Sequence, residues 1–536
     1  MTNRTVLIGL DGATFSLLDP FMAQGVMPFL KTFVEGGVRA ELTSVIPPLT
    51  PPAWTSLATG QSPAHHGIFD FFVKESSESE QIRFAMSSDV HAETVWSMVN
   101  RHDRSVTVLN FPLMFPPPHV DKYVVAGFIP WRQLRLGCYP PNLYDRLKMM
   151  PGFNPKELAM DMDLEEKAIE GCEVEEYEDW IGLHARREQN WTQLLSTLMQ
   201  EDPSDLTAVL FDGPDKIQHL CWRFLDPAYA SGTLTEWEQG IRDLCLDYFG
   251  QLDHHIARIV GLAGEEATVI LASDHGFGPQ LGTFFVNTWL EEQGYLVWTD
   301  GKGPEASKPG ELGVGQLARH VYQIDWTKSR AYAPTPSSNG IHIVLADENH
   351  TGGVLPSEYE AFRDQLIEGL QQVVNPATNE PVVSRIWRRE EVFEGPFSNV
   401  SPDLTLELFD GGLISIVSSD APFSLRDAPS GTHRREGVFI ARGPAIRQGE
   451  SLAPLAIEDV TPLVLYSMGL PVPEGLNGVV PTEVFDPTYL SIRPVQKEVP
   501  EDSFEPVPAS VPAGPMLDDA AEAELLKRLR ALGYVE

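Results

Sequence analysis

The chain has 536 residues, of which 42% are hydrophobic and 21% charged, and it carries a formal net charge of -37 at pH 7. That length suits a large core, one main domain with a second lobe, and the charge argues against nucleic-acid polymers and anionic membranes as primary partners. A small phosphorylated substrate stays compatible, because bound divalent cations reverse the local field. Cys138, Cys172, Cys221 and Cys245 show no CxxC spacing and read as free thiols in a reducing compartment. With no secretory signal and no apolar run of about 18 residues, a cytoplasmic protein is expected. Composition is silent on the oligomeric state.

In chain order, Thr5–Leu10 (TVLIGL) reads as a first strand ending at Asp11. Residues 27–36 have helical spacing and stop at Gly36-Gly37, and 38–45 alternate like a strand. The segment Ile46-Pro-Pro-Leu-Thr50-Pro-Pro-Ala-Trp-Thr follows. Its prolines forbid a helix before position 53, so Thr50 is expected in a fixed turn just ahead of a helix over 53–59. Helix is predicted for 93–101 and strand for 105–110 and 123–127. Residues 140–202, rich in Glu, Asp, Met and Trp, read as a helical insertion forming part of a lid or rim. Strand 206–211 then ends in Asp212-Gly-Pro-Asp215. A helix over 235–262 opens with the capping-box pair Thr235 and Glu238, and strand 267–272 runs into Ser273-Asp274-His275-Gly276.

Further on, 284–293 reads as helix, 300–313 as a Gly/Pro/Lys-rich loop, 340–345 as strand and 357–373 as an amphipathic helix. Strand-like runs follow at 381–387 and 403–408. Residues 420–435 read as a polar loop holding His433, 437–441 as strand and 457–468 as helix. Residues 486–516 turn to Pro, Val, Glu and Ser and read as an extended linker. Residues 517–532 form an amphipathic pattern, so 517–536 is expected to be a terminal helix. The strand–helix alternation predicts an α/β fold with a mostly parallel sheet, whose functional groups gather at strand ends.

Several chemistry-bearing groups fall at such ends. Asp215 and His219 stand four apart, the spacing that puts both on one side of a helix. Asp274 and His275 lie in a Gly-rich turn, and His433 follows Gly431-Thr432. With Asp11 and Thr50 they supply three carboxylates, three imidazoles and a hydroxyl. Taken singly, each is more often a surface cap or a satisfied polar pair. As a set they offer the mixed N and O donors that suit Zn²⁺ and, less exclusively, Mn²⁺ or Fe²⁺. A threonine alcohol needs a base or a metal to become a nucleophile. Its place near a helix N-terminus favours a phosphate.

The sequence resembles the alkaline phosphatase superfamily, in its type I phosphodiesterase/nucleotide pyrophosphatase branch, among predicted phosphohydrolases and phosphomutases. The residues that carry the likeness are LIGLDG with Asp11, IPPLTPPAWTSLATGQSPAHHGI with Thr50, DGPDKIQH with Asp215 and His219, LASDHGFGP with Asp274 and His275, and GTHRREGVFIARGP with His433. The resemblance implies a three-layer α/β sandwich over residues 1–485. It implies that Asp215, His219 and His433 hold one divalent metal, and that Asp11, Asp274, His275 and Thr50 surround a second. Thr50 would be the nucleophile, giving a phospho-threonine intermediate. Two metals about 4 Å apart stabilise the attacking and leaving oxygens of an in-line displacement.

The sequence departs from that pattern at Phe69-Asp70-Phe71, where nucleotide pyrophosphatases carry an Asn that contacts a phosphate oxygen. Lys216, Lys74, Arg132 and Arg135 are the candidate replacement donors. His65 and His66 read as structural, and Trp54 as core or pocket wall. The reading is a phosphodiesterase or pyrophosphatase acting on a small soluble substrate. The alternatives are a phosphomonoesterase or phosphomutase on a small phosphorylated metabolite and, from another class, a metal-stabilised scaffold that binds a partner through its C-terminal helix.

Overall fold

The computed structural model describes residues 4–74, 82–158, 174–230, 232, 234–299, 303 and 321–499. Cys172, most of the loop read at 300–313, the later part of the linker and the terminal helix at 517–536 lie outside the described residues.

Thr5–Leu10 is buried at every position, which is why it reads as continuous apolar sequence rather than alternation: it is the centre of a sheet covered on both faces. Leu206–Phe211 and Thr268–Ala272 flank it, both parallel. Beyond Leu206–Phe211 come Val106–Leu109 and Tyr123–Val125, parallel, and then Cys138–Tyr139, antiparallel at the edge. On the other side Glu436–Arg442 runs antiparallel to both Thr268–Ala272 and Val38–Thr43. The short strands Glu450–Ser451 and Leu455–Ala456 complete this 10-stranded, mostly parallel sheet. Helices Pro28–Glu35, Val174–Glu201, Gly213–Leu225 and Glu236–Ala263 pack on one another as one layer. Thr50–Thr59, Val95–Arg101 and Val460–Ser467 pack together as another. This is the α/β architecture expected. Smaller sheets stand beside it, one made of Ala331–Tyr332, Gly340–Ile343, Leu404–Leu408 and Val383–Arg388.

Four expectations change. Thr50 is not in a turn ahead of the helix but is its first residue, with Leu49 as N-cap. Pro51 and Pro52 fill the first turn, where no backbone N–H is needed. Residues 420–435 are not a loop: Phe423–Arg434 is a strand pairing antiparallel with Gly276–Phe285. Gly431, Pro429 and exposed polar positions removed the alternation that would have marked it. Phe284 and Phe285 close that partner strand, and the helix begins at Val286. The stretch after 485 is not extended throughout. Asp486 caps a helix over Pro487–Ile492, Tyr489 lies against Tyr466 and Phe485, and Lys497–Glu498 pairs with Val472–Pro473. Within the 140–202 region, Val174–Glu201 is a single 28-residue helix lying along Glu236–Ala263.

Candidate active site

The sheet gathers the candidate groups at one end. The first strand ends at Asp11, and Gly12 turns the chain with φ of 64°, a left-handed backbone that suits glycine. The Gly12 N–H donates to Asp274 Oδ1 at 3.1 Å, and its carbonyl accepts from Gln218 Nε2 at 2.8 Å. One turn is thereby tied to the two segments carrying the other ligand candidates. Asp215 and His219 sit on the first turns of helix Gly213–Leu225. His433 lies near the end of strand Phe423–Arg434, opposite Phe277. A Cβ at Gly431 would lie 2.3 Å from the Gln218 carbonyl oxygen. Glycine there lets the strand cross close over the helix.

That approach orients an imidazole. Nδ1 of His219 lies 3.0 Å from the Gly431 carbonyl oxygen, Nδ1 of His275 3.1 Å from that of Gly276, and Nδ1 of His433 2.9 Å from that of Pro48. A carbonyl oxygen only accepts, so each ring carries its proton on Nδ1 and presents a lone pair at Nε2. Those lone pairs converge. His433 Nε2 is 3.1 Å from both His219 Nε2 and Asp215 Oδ1, and His219 Nε2 is 3.4 Å from the same oxygen. His275 Nε2 is 3.2 Å from Asp274 Oδ2, 3.7 Å from Asp11 Oδ1 and 4.0 Å from Asp215 Oδ1. Thr50 Oγ1 lies 3.3 Å from His275 Nε2. All seven candidate groups meet here, as two overlapping clusters joined through His275 and Asp215.

The donors among these atoms do not reach every acceptor. Asp11 Oδ1 and Asp274 Oδ2 are buried without a hydrogen-bond partner, a costly state for a carboxylate. Burial, then the charges of Asp274 and Asp215, pushes the Asp11 carboxyl well above its usual range. Burial raises Asp274 as well, against the opposing Gly12 hydrogen bond and with the Asp215 charge adding. Burial also acts on Asp215, but His219 and His433 outweigh it and hold that carboxyl ionised. Burial and the neighbouring His433 lower His275, and burial lowers His433. Asp215, His275 and His433 form one group with ligand atoms within 4.8 Å of one another, and Asp11, Asp274 and His275 form a second. Converging N and O lone pairs with orphaned carboxylate oxygens are what divalent cations satisfy.

Two of the four candidate phosphate donors are engaged by carboxylates. Lys216 is fully buried and paired with Asp212. Arg135 is exposed and bridges to Asp145 at 2.6 Å. Lys74 and Arg132 are exposed. His66 is buried, its Nε2 2.9 Å from Ser56 Oγ, and His65 Nδ1 lies 3.0 Å from Ser62 Oγ, both within helix-end packing. Trp54 is core, edge-on to Phe111. Asp70, at the departing position, is buried and accepts from Phe71 N–H, Ser337 Oγ and Thr335 Oγ1; burial raises its carboxyl to about 6 despite them. Sequence reading missed the carbonyls of Pro48, Gly276 and Gly431 as imidazole orienters, because a main-chain acceptor leaves no residue-type signature. A cleft of about 620 Å³ reaches His433, with Pro48, Trp222, Phe277, Asn339 and Phe409 among its walls.

A family model for type I phosphodiesterase / nucleotide pyrophosphatase matches residues 5–433. The chain belongs to that family. The matched segment runs from the first strand to His433 and so spans every ligand candidate. Membership makes the protein a hydrolase of phosphoric-ester or phosphoanhydride bonds. Among solved structures, human ectonucleotide pyrophosphatase / phosphodiesterase 5 aligns at 14% identity and a TM-score of 0.51, covering 90% of this chain and 99% of that one. An inactive form of the murine protein in complex with AMP gives 13% and 0.49, over 87% and 95%. Phosphonoacetate hydrolase from Sinorhizobium meliloti 1021 with phosphonoformate gives 17% and 0.47, over 87% and 95%. At these identities the likeness bears on the fold alone. No curated protein sequence matches the chain. Among the described residues, no helix is long and apolar enough to cross a membrane.

Proposed function

We propose that the chain is a metal-dependent phosphodiesterase or pyrophosphatase, acting on a small phosphorylated substrate through a covalent phospho-Thr50 ester. The supporting observation is the convergence of three imidazole Nε2 lone pairs and three carboxylates beside the Thr50 hydroxyl. Asp215, His219 and His433 would hold one divalent cation, with Zn²⁺ as the first choice, and Asp11, Asp274 and His275 a second beside Thr50. Bound there, the cations would neutralise the phosphoryl oxygens and favour an ionised neighbouring hydroxyl.

The chain's own residues supply the rest. Gly431, Gly276 and Pro48 hold the three imidazoles in one tautomer, and Gly12 holds Asp274. The fully buried helix Thr50–Thr59 keeps Oγ1 at a fixed depth, which lowers the entropic cost of attack. The Thr50 oxygen bonds to phosphorus as the ester oxygen of the leaving group departs. Water then cleaves the Thr50–phosphorus ester and restores the hydroxyl.

The phosphomonoesterase alternative calls for a strong cationic pair around a dianion. Lys216 and Arg135 are committed to Asp212 and Asp145; the cleft has Trp222, Phe277 and Phe409 in its walls beside Arg434 and Arg435, and Arg434 is bridged to Asp410, so its apolar part supports the diester reading. The test is hydrolysis of bis-p-nitrophenyl phosphate beside p-nitrophenyl phosphate by metal-free protein, with Zn²⁺ or Mn²⁺ returned. Faster metal-dependent cleavage of the diester is expected. A preference for the monoester would overturn the diester assignment.

A further inference from the structure

The helix that bears Asp215 and His219 starts at Gly213, and the residue before it does not cap it. Asp212 is the N-cap residue but makes no capping hydrogen bond. Its carboxylate is paired with Lys216 and lies 3.4 Å from Asn110 Nδ2. The first N–H groups of a helix need an acceptor from somewhere. Here one comes from a different helix: Glu188, on Val174–Glu201, accepts the Gly213 N–H at its Oε1 at 2.8 Å. The same oxygen accepts the Tyr248 hydroxyl at 3.3 Å, and Tyr248 belongs to Glu236–Ala263. Glu188 and Tyr248 are each 1% exposed. The junction leaves no room at position 213, where a Cβ would lie 2.2 Å from the Tyr248 hydroxyl oxygen and 2.6 Å from Glu188 Oε1. Three helices therefore meet at one hydrogen-bonded point, two residues before Asp215.

We propose that Glu188 is a positioning residue for the reaction: steadied by Tyr248, it pins the start of the ligand-bearing helix and so sets where Asp215 stands relative to His219 and His433. The proposal deepens the two-cation reading and rests on it for its functional consequence. It gives the helix Val174–Glu201, which carries none of the ligand candidates, a part in building the site. The role needs an acceptor oxygen of the right length, not a charge.

The substitutions are Glu188→Gln, which keeps the acceptor, Glu188→Ala, which removes it, and Tyr248→Phe, which removes only its support. The first readout is hydrogen exchange of the metal-free proteins over residues 212–219. Glu188→Ala is expected to speed exchange there, while Glu188→Gln matches the parent. The second is calorimetric titration with Zn²⁺. Loss of an outer-shell partner typically costs about 10- to 100-fold in metal affinity. Glu188→Ala should lose that much in one binding step and leave the other unchanged, with Tyr248→Phe losing less. Unchanged exchange in Glu188→Ala, or equal damage from Gln and Ala, would overturn the proposal. Should Glu188→Ala fail to fold, the Gln and Phe variants decide: Gln must match the parent, and Phe must speed exchange at 212–219. A parent protein that binds no cation, yet shows the exchange effect, would refute the two-cation reading and leave the pinning of the helix standing.

Discussion

Two buried polar clusters share the helix Gly213–Leu225 and answer burial in opposite ways. Around Asp212, Lys216, Glu188 and Tyr248, donors alternate with acceptors: an ammonium meets a carboxylate, and an N–H and a hydroxyl meet another. Around Asp11, Asp215, Asp274, His219, His275 and His433, acceptors outnumber donors, and Asp11 Oδ1 and Asp274 Oδ2 go without a hydrogen bond. The ring protons of all three imidazoles are spent on main-chain carbonyls outside the cluster. The first cluster contains an ammonium as counter-charge for Asp212, although Glu188 Oε2 is left without a hydrogen bond. The second offers two groups of converging ligand atoms and no ammonium or guanidinium among them, which makes it the candidate cation site.

The largest effect expected is on turnover. Thr50→Ala should lose at least about a thousandfold in diester hydrolysis, the scale of removing a nucleophile, while cation binding persists; steady-state kinetics with calorimetry checks both. Lys216→Met breaks the self-neutralised cluster by stranding the Asp212 carboxylate. It should cost about 3–5 kcal/mol in stability, read by urea unfolding, and leave the cation count unchanged. A fall in that count would erase the boundary between the clusters.

Asp70 offers a buried carboxyl outside both clusters, held by the Phe71 N–H and the Ser337 and Thr335 hydroxyls. Its folded pKa of about 6 lies above the usual 3.8, so its contribution to stability is complete below about pH 4 and is lost as pH rises through 6. Asp70→Asn should therefore be more stable than the parent above pH 6, by up to about 3 kcal/mol, with the difference closing toward pH 4. Unfolding free energies across that range test the sign. The smallest effect belongs to Arg135→Ala. Its exposed pair with Asp145 is screened by water and should leave the urea unfolding midpoint and turnover unchanged.

Much of the site was legible in the sequence because parallel sheets place functional residues just past strand ends. Asp11, Asp215 and Asp274 each come just after a mainly apolar strand that is buried at every position, and such runs are conspicuous. His433 was legible as a ligand candidate although its strand was not. Phe423–Arg434 gains its stability from pairing with Gly276–Phe285, a long-range partnership between two segments that lack apolar alternation. The Thr50 helix starts three residues early because prolines that break a helix interior fit its first turn. Lys216 resembled a phosphate donor from its place in the motif, but it stands four residues after Asp212 on the same helix start and pairs with it. Glu188 is one glutamate among several in its helix, and its partner, Gly213, is set by the packing of two helices that local spacing does not encode.

The most direct test of the central claim is the number of divalent cations the metal-free protein takes up, measured by calorimetric titration with Zn²⁺ in the parent and in Asp274→Asn. Two per chain in the parent and one in the variant is the predicted result. A parent that binds none, or a variant that still binds two, would contradict it.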